Sequence, residues 1–152
     1  MTYDYRFVTH WLVPQRADRV WELMAESLRA GDPVPWWGMV HTRSHDADSV
    51  WLRTDSGLGY RLNFRIYELR EHAGHRLTFR ADGDVAGIGN IAFTSMGPQC
   101  VVSIDWRVSL HKAWMRRWQW VLRPVFVWAH ALVMIIGARR LKEWVRLKAN
   151  QK

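Results

Sequence analysis

Three stretches in the middle of the chain alternate in the same way. In "YRLNFRIYEL", Tyr60, Leu62, Phe64 and Ile66 fall on one face and Arg61, Asn63, Arg65 and Tyr67 on the other. "HRLTFRAD" sets Leu77, Phe79 and Ala81 against Arg76, Thr78 and Arg80. "CVVSIDWRVSL" sets Val102, Ile104, Trp106 and Val108 against Ser103, Asp105 and Arg107. Successive side chains of a strand point to opposite faces, so each stretch has an apolar side and a wet side. Turn-forming residues at Asp55–Gly59, His72–Gly74, Asp82–Gly87 and Met96–Gln99 separate the strand segments. Strands joined by short turns pair antiparallel, and the apolar face of such a sheet must be covered. Asp105, set among strand arginines, is expected to pair across strands on the wet face.

The cover has to come from the ends of the chain. "YDYRFVTHWLV" reads as a first strand, with Phe7, Thr9, Trp11 and Val13 on one face and Arg6 and His10 on the other; Pro14 ends it. "ADRVWELM" has helical spacing, with Val20, Trp21 and Met24 sharing a side, and Gly31, Pro33 and Pro35 break the chain before "WWGMV". From Trp114 to about Lys148 the pattern is helical, with Pro124 either starting a new helix or kinking a continuous one. This last element is the only one long enough to cover a curved sheet. The order predicts an α+β helix-grip architecture in a single domain over 1–152: a curved antiparallel sheet wrapped around a long C-terminal helix, with two short helices after strand 1. The gap between sheet and helix is the natural place for a ligand cavity. The chain holds 11 tryptophans, flat and rigid side chains that suit the walls of a pocket as well as a core.

"FVTHWLVPQRADRVWELM" resembles the opening of the SRPBCC superfamily, in which an apolar strand runs through a Pro-containing turn into a helix bearing Val-Trp. "WRVSLHKAW", followed by "RPVFVWAHALVM" and Gly137, resembles the last strand and helix of its small bacterial members of polyketide-cyclase/dehydrase type. The resemblance covers nearly the whole chain. It implies a helix-grip fold of START type, whose members variously bind lipids, sterols or quinones, cyclise polyketides, or have no known activity. The glycine-rich loop of the plant allergens in this superfamily is missing. Cyclase members orient a polyketide with polar cavity residues, arginine or tyrosine among them. No arginine here falls on the inner face of the clear strands.

His130 is the ionisable residue in the apolar run from Pro124 to Ala138. On a helical wheel Phe126, Val133, Met134, Gly137, Leu141 and Trp144 fall within about 60 degrees of it, so His130 lies on the stripe that faces the sheet. There it is either a core histidine bonded to the protein or a buried water, or a polar point in a cavity wall that could exchange a proton with a ligand. Gly137 leaves space under the helix, and Met134 adapts to varied shapes. Tyr60, opening the cleanest strand, is the second polar candidate. Trp36 and Trp37 lie between the breaker cluster and the next strand, where they either form a pocket mouth or cap the core. The predicted ligand-binding set is Trp11, Trp36, Trp37, Tyr60, Leu62, Phe64, Phe79, Phe93, Trp106, Phe126, His130, Met134 and Gly137. Asn90 alternates to the opposite face from Ile91 and Phe93 and is set aside.

These residues predict binding of a hydrophobic or aromatic small molecule, polyketide-, lipid- or quinone-like by the resemblance. Two alternatives stand beside it: a cyclase or dehydratase in which His130 or Tyr60 moves a proton, and a lipid-transfer or membrane-surface module. No cofactor is expected. Cys100 is the single cysteine, and the seven histidines show no HxxxH or HxH spacing, so no metal site is expected. The net charge of +8 favours acidic partners such as membrane headgroups, while the absence of a nucleic-acid motif and of any basic run longer than two residues argues against nucleic acid. The N-terminal "MTYDYRFVTHW" does not read as a signal peptide, and an apolar stretch of about fifteen residues from Pro124 falls short of a spanning helix, so the cytoplasm is expected. Trp128, Leu132 and Ile135 lie about 140 to 200 degrees from His130 and so point away from the sheet. Either Trp114, Trp118 and Trp120 fold back over them, or they form an exposed patch for a second copy or an anionic membrane.

Overall fold

Antiparallel pairing runs unbroken from one edge of the sheet to the other. The structure, a computed structural model, describes residues 4–31, 36, 40–45, 49–55, 61–111 and 113–149. In chain order these form β1 (Tyr5–Val13), α1 (Ala17–Arg29), β2 (Val40–His45), β3 (Ser49–Asp55), β4 (Arg61–His72), β5 (Arg76–Gly83), β6 (Val85–Met96), β7 (Gln99–Leu110), α2 (Ala113–Arg117) and α3 (Gln119–Ala149). The spatial order is β1-β7-β6-β5-β4-β3-β2. Strands β2 to β7 are a meander, and β1 closes the far edge against β7 with Tyr5 opposite Val108 and Val13 opposite Cys100. With the long α3 against the curled sheet, this is the predicted helix-grip α+β fold. One helix follows β1 among the described residues. The rest of the link to β2, from 32 to 39, lies outside them except for Trp36.

The alternating stretches become strands, and their apolar positions turn inward: Leu62, Phe64 and Ile66 on β4, Leu77 and Phe79 on β5, and Ile104, Trp106 and Val108 on β7. Opposite them Asp105 takes the cross-strand role expected of it with Arg6 Nη2 at 3.0 Å, and along its own strand it meets Arg107 Nε at 3.6 Å. The hydrogen bond from Arg6 is the main cause holding the Asp105 carboxyl below its ordinary range. Simple alternation fails once in β4. Glu68 has a φ of 50°, and the register with β5 skips between Tyr67 and Arg70. This bulge flips the parity of the residues after it, so Leu69 joins Ile66 on the inner side.

Two glycine positions depart from the sequence reading. The expected turn over Asp82–Gly87 shrinks to the single residue Asp84, and Gly87 is already inside β6. Gly83 takes a φ of 128°, and a Cβ there would stand 2.7 Å from the Asn63 carbonyl oxygen. Gly89, deep in β6, is paired with Phe79 on one side and Trp106 on the other. A Cβ on it would collide with the Phe79 ring. Without one, Phe79 and Trp106 meet over the glycine, their ring centroids 5.4 Å apart.

Pro124 neither starts a helix nor ends one. The break falls earlier, at Trp118 between α2 and α3, and α3 runs through Pro124 as a 31-residue helix. This corrects the estimate of its apolar reach, since the helix is not confined to the run from Pro124 to Ala138. Trp120–Lys148 contains a window of mean hydropathy 1.8 of which 22% is buried, long and apolar enough by length and composition to cross a membrane. Two buried clusters hold the molecule together. One joins α1 and the C-terminal half of α3 to the sheet through Trp11, Val13, Val20, Leu23, Phe93, Cys100, Leu141 and Val145, among others. The other, at the start of α3, joins Tyr5, Val85, Val108, Leu110, Met115 and Phe126.

Candidate ligand cavity

Between the sheet and the first half of α3 the packing stops short, leaving a cavity of about 260 Å³. Its walls come from β1, β3 to β7, Val40 of β2, Met24 and Leu28 of α1, Met115 of α2, and Phe126, Ala129, His130, Val133 and Met134 of α3. Of the described residues lining it, only Tyr5, Thr54, Trp106 and His130 carry a side-chain nitrogen or oxygen. An almost wholly apolar wall with a few polar points is the usual build of a small-molecule site.

His130 lies against the sheet, as the helical wheel requires. Its imidazole stacks on Phe7 with centroids 3.7 Å apart and planes 12° from parallel. Phe7 stacks in turn on Tyr5 at 5.6 Å. Tyr5 and Phe7 are two apart on β1 and so share its inner face. Burial pushes the His130 pKa down to about 4, so the ring is neutral at pH 7 and can donate from one nitrogen and accept at the other. At the far end of this stack the Tyr5 hydroxyl is buried with no hydrogen-bond partner among the described residues. Burial raises its pKa, against the opposing pull of the Arg123 guanidinium 4.5 Å above the ring. Arg123 is itself fixed by donating to the Asp4 carbonyl at 2.9 Å.

Of the predicted set, Leu62, Phe64, Phe79, Trp106, Phe126, His130 and Met134 meet around this cavity. Trp11, Trp36 and Phe93 do not; they pack into the closed cluster under α1, with Trp11 edge-on to Trp36 at 6.0 Å. Gly137 is buried in α3 but is not part of the cavity wall. Alternation gives the face of a strand, not the position along it, and Trp11 and Phe93 sit at the closed end; Trp36 stands on the link before β2, which neither alternation nor helical phase governs. Trp37 and Tyr60 lie outside the described residues. The reading missed Tyr5, whose signal was present, because stepping back two from Phe7 on the same face reaches it. It also missed Val50, Leu52 and Thr54, which alternate on β3. Leu69 was hidden by the bulge. Cys100 is fully buried, and its thiol is pushed up to about 11, so it is inert packing. Among the described residues no group of three or more His, Cys, Asp or Glu could hold a metal ion.

The fold recurs in solved structures of low sequence similarity. A Thermus thermophilus protein, TTHA0849, superposes with a TM-score of 0.74 over 96% of this chain and 99% of its own, at 16% identity. The Zhui aromatase/cyclase of a Streptomyces species gives 0.67 over 96% of each chain at 14% identity. A START superfamily protein of Mycobacterium smegmatis gives 0.61 over 93% of this chain and 97% of its own at 11% identity. No family model matches the sequence, and no curated protein matches it. The chain therefore has the START-type helix-grip fold that its sequence resembles.

Proposed function

We propose that the chain binds an apolar or aromatic small molecule in the cavity between its sheet and α3, with Tyr5 and His130, at the two ends of the ring stack, as separate hydrogen-bonding points for it. The observation that carries this reading is the Tyr5 hydroxyl: buried beside an apolar cavity and without a partner among the described residues. An unsatisfied buried hydroxyl costs about 1–3 kcal/mol, and a ligand carbonyl or phenol would remove that cost. The flat ring pairs of the wall, Phe7 with His130 and Phe79 with Trp106, favour a planar ligand of polyketide or quinone type over a flexible acyl chain. That an aromatase/cyclase shares the fold agrees with this class.

The enzymatic alternative has less support. A histidine with a pKa near 4 is a weak base at neutral pH, and proton transfer is most effective from a group whose pKa lies near the working pH. Among the described residues, no second titratable side chain except Tyr5 lines the cavity to share the work.

The test is fluorescence quenching by a hydroxyanthraquinone titrated into the wild-type chain and Tyr5→Phe. Tyr5→Phe should weaken binding about tenfold, as losing one hydrogen bond to a buried group does. It should also leave the fold as stable or more so, because it deletes an unsatisfied hydroxyl. Equal affinity for the two proteins would leave Tyr5 as packing only.

A further inference from the structure

The outer face of α2 and α3 is built unlike the rest of the surface. Trp120 is 80% exposed, Trp128 61%, Ile135 59% and Trp118 49%. Trp114, Trp118 and Trp120 do not cover Trp128 and Ile135; all three lie open themselves, which removes the intramolecular shield considered from sequence. A helix resting on a sheet should be polar outside, yet this stripe stays apolar for four turns. It then continues, in the same helical phase, as Arg139, Lys142 and Arg146, all exposed. No Asp or Glu occurs between His111 and Lys142, whereas Arg116, Arg117, Arg123, Arg139 and Arg140 all do. Arg117, Arg139, Lys142 and Arg146 have no ion-pair partner among the described residues.

We propose that this face docks on an anionic lipid surface, with the tryptophans of α2 and early α3 at headgroup depth and the basic end of the stripe on the lipid phosphates. Tryptophan joins an apolar body to a polar N–H and settles at the boundary between headgroups and acyl chains. Unpaired arginine and lysine beside it are drawn to negative headgroups. A second copy of the chain is the poorer occupant. A two-fold contact would set this basic face against itself and bring like charges together, since Glu143, its one acid from His111 to Lys148, is already paired with Arg140. The helix lies on the membrane and does not cross it. Its other side, Phe126, Ala129, Val133, Leu141 and Val145, is buried in the molecule and would have to be stripped bare to span. The same helices therefore face a bilayer on one side and wall the cavity on the other. The docking face does not depend on what the cavity holds.

Flotation of the full chain with phosphatidylcholine vesicles, with and without phosphatidylserine, tests this at low and high salt. The wild-type chain should float only with the anionic vesicles and release as salt rises. Arg117→Gln and Lys142→Gln should each lower the partition coefficient about fivefold. Trp120→Ser with Trp128→Ser should abolish binding while the circular dichroism spectrum and melting temperature stay as in the wild type. A readout free of variants is quenching of the tryptophan emission by lipids brominated on the acyl chain. Three results overturn the proposal: no flotation of the wild type, no quenching by brominated lipid, or a homodimer in sedimentation equilibrium that Trp128→Ser dissociates.

Discussion

The two halves of α3 do opposite things with the same helical geometry. In the C-terminal half Leu141 and Val145 are packed to 1% and 2% exposure in the closed cluster, and the outside carries Arg139, Lys142 and Arg146. This is an ordinary amphipathic helix on a sheet. In the N-terminal half the inner side faces an unfilled cavity, and the outer side is apolar and open. A helix apolar all round belongs either to a deep interior or to lipid. This half has neither around it within the chain. Stability is therefore concentrated at one end of the helix and the capacity to bind at the other.

The largest expected effect breaks the closed end. Leu141→Ala removes a fully packed side chain and should cost about 2–5 kcal/mol in chemical unfolding. The same-chemistry pair Val145→Ala and Val133→Ala measures the contrast directly. Val145 has neighbours on all sides, whereas Val133 borders space that already lacks partner atoms. Truncating Val145 should cost about 2 kcal/mol or more and truncating Val133 about half that. Equal costs would mean that the two ends are packed alike and that the cavity is closed in solution.

A smaller effect comes from His130. Its folded pKa, about 4, lies below the ordinary value of 6.5, so the unfolded chain takes up the proton more readily. Stability from this group is complete above the unfolded value and is lost as the pH falls from about 6.5 towards 4. The chain should be about 2 kcal/mol less stable at pH 5 than at pH 7 on this account. His130→Leu should flatten that slope. If the slope survives in His130→Leu, other groups cause it. If an NMR titration puts the His130 pKa at 6.5 or above, a negative partner faces the ring.

How far this contrast could be read from sequence depends on which rule each residue obeys. Period-two alternation gave the inner faces of β4, β5 and β7, because a one-sided sheet leaves no freedom about which side is wet. The helical wheel placed His130 on the sheet and Trp128 away from it, since phase is set by backbone geometry alone. Position along an element is different: it depends on how α1 lies across β6 and β7, which no local pattern encodes. That is why Trp11 and Phe93, inward residues of their strands, were expected in the cavity and lie in the closed cluster. Glu68 shows a second limit. Nothing in "YELREH" marks a left-handed residue, yet the bulge there moves Leu69 to the other side of the sheet. The orphaned Tyr5 hydroxyl is a third case, since its lack of a partner is a property of everything packed around it.

The smallest expected effect is the most discriminating. Trp128→Glu places a charge in the centre of the apolar outer stripe, at a side chain 61% exposed. Were that stripe covered by the chain itself, a buried carboxylate would be left unpaired and the fold would fail. In the structure the glutamate would stand in water, and surface changes of this kind move the unfolding free energy by no more than about 0.5 kcal/mol. The unfolding midpoint of Trp128→Glu should therefore match the wild type, in contrast to the losses at Leu141 and Val145 on the opposite side of the same helix. A drop of several kcal/mol would show that the N-terminal half of α3 is buried after all. The difference between its two halves would then vanish, and with it the surface on which a membrane is proposed to bind.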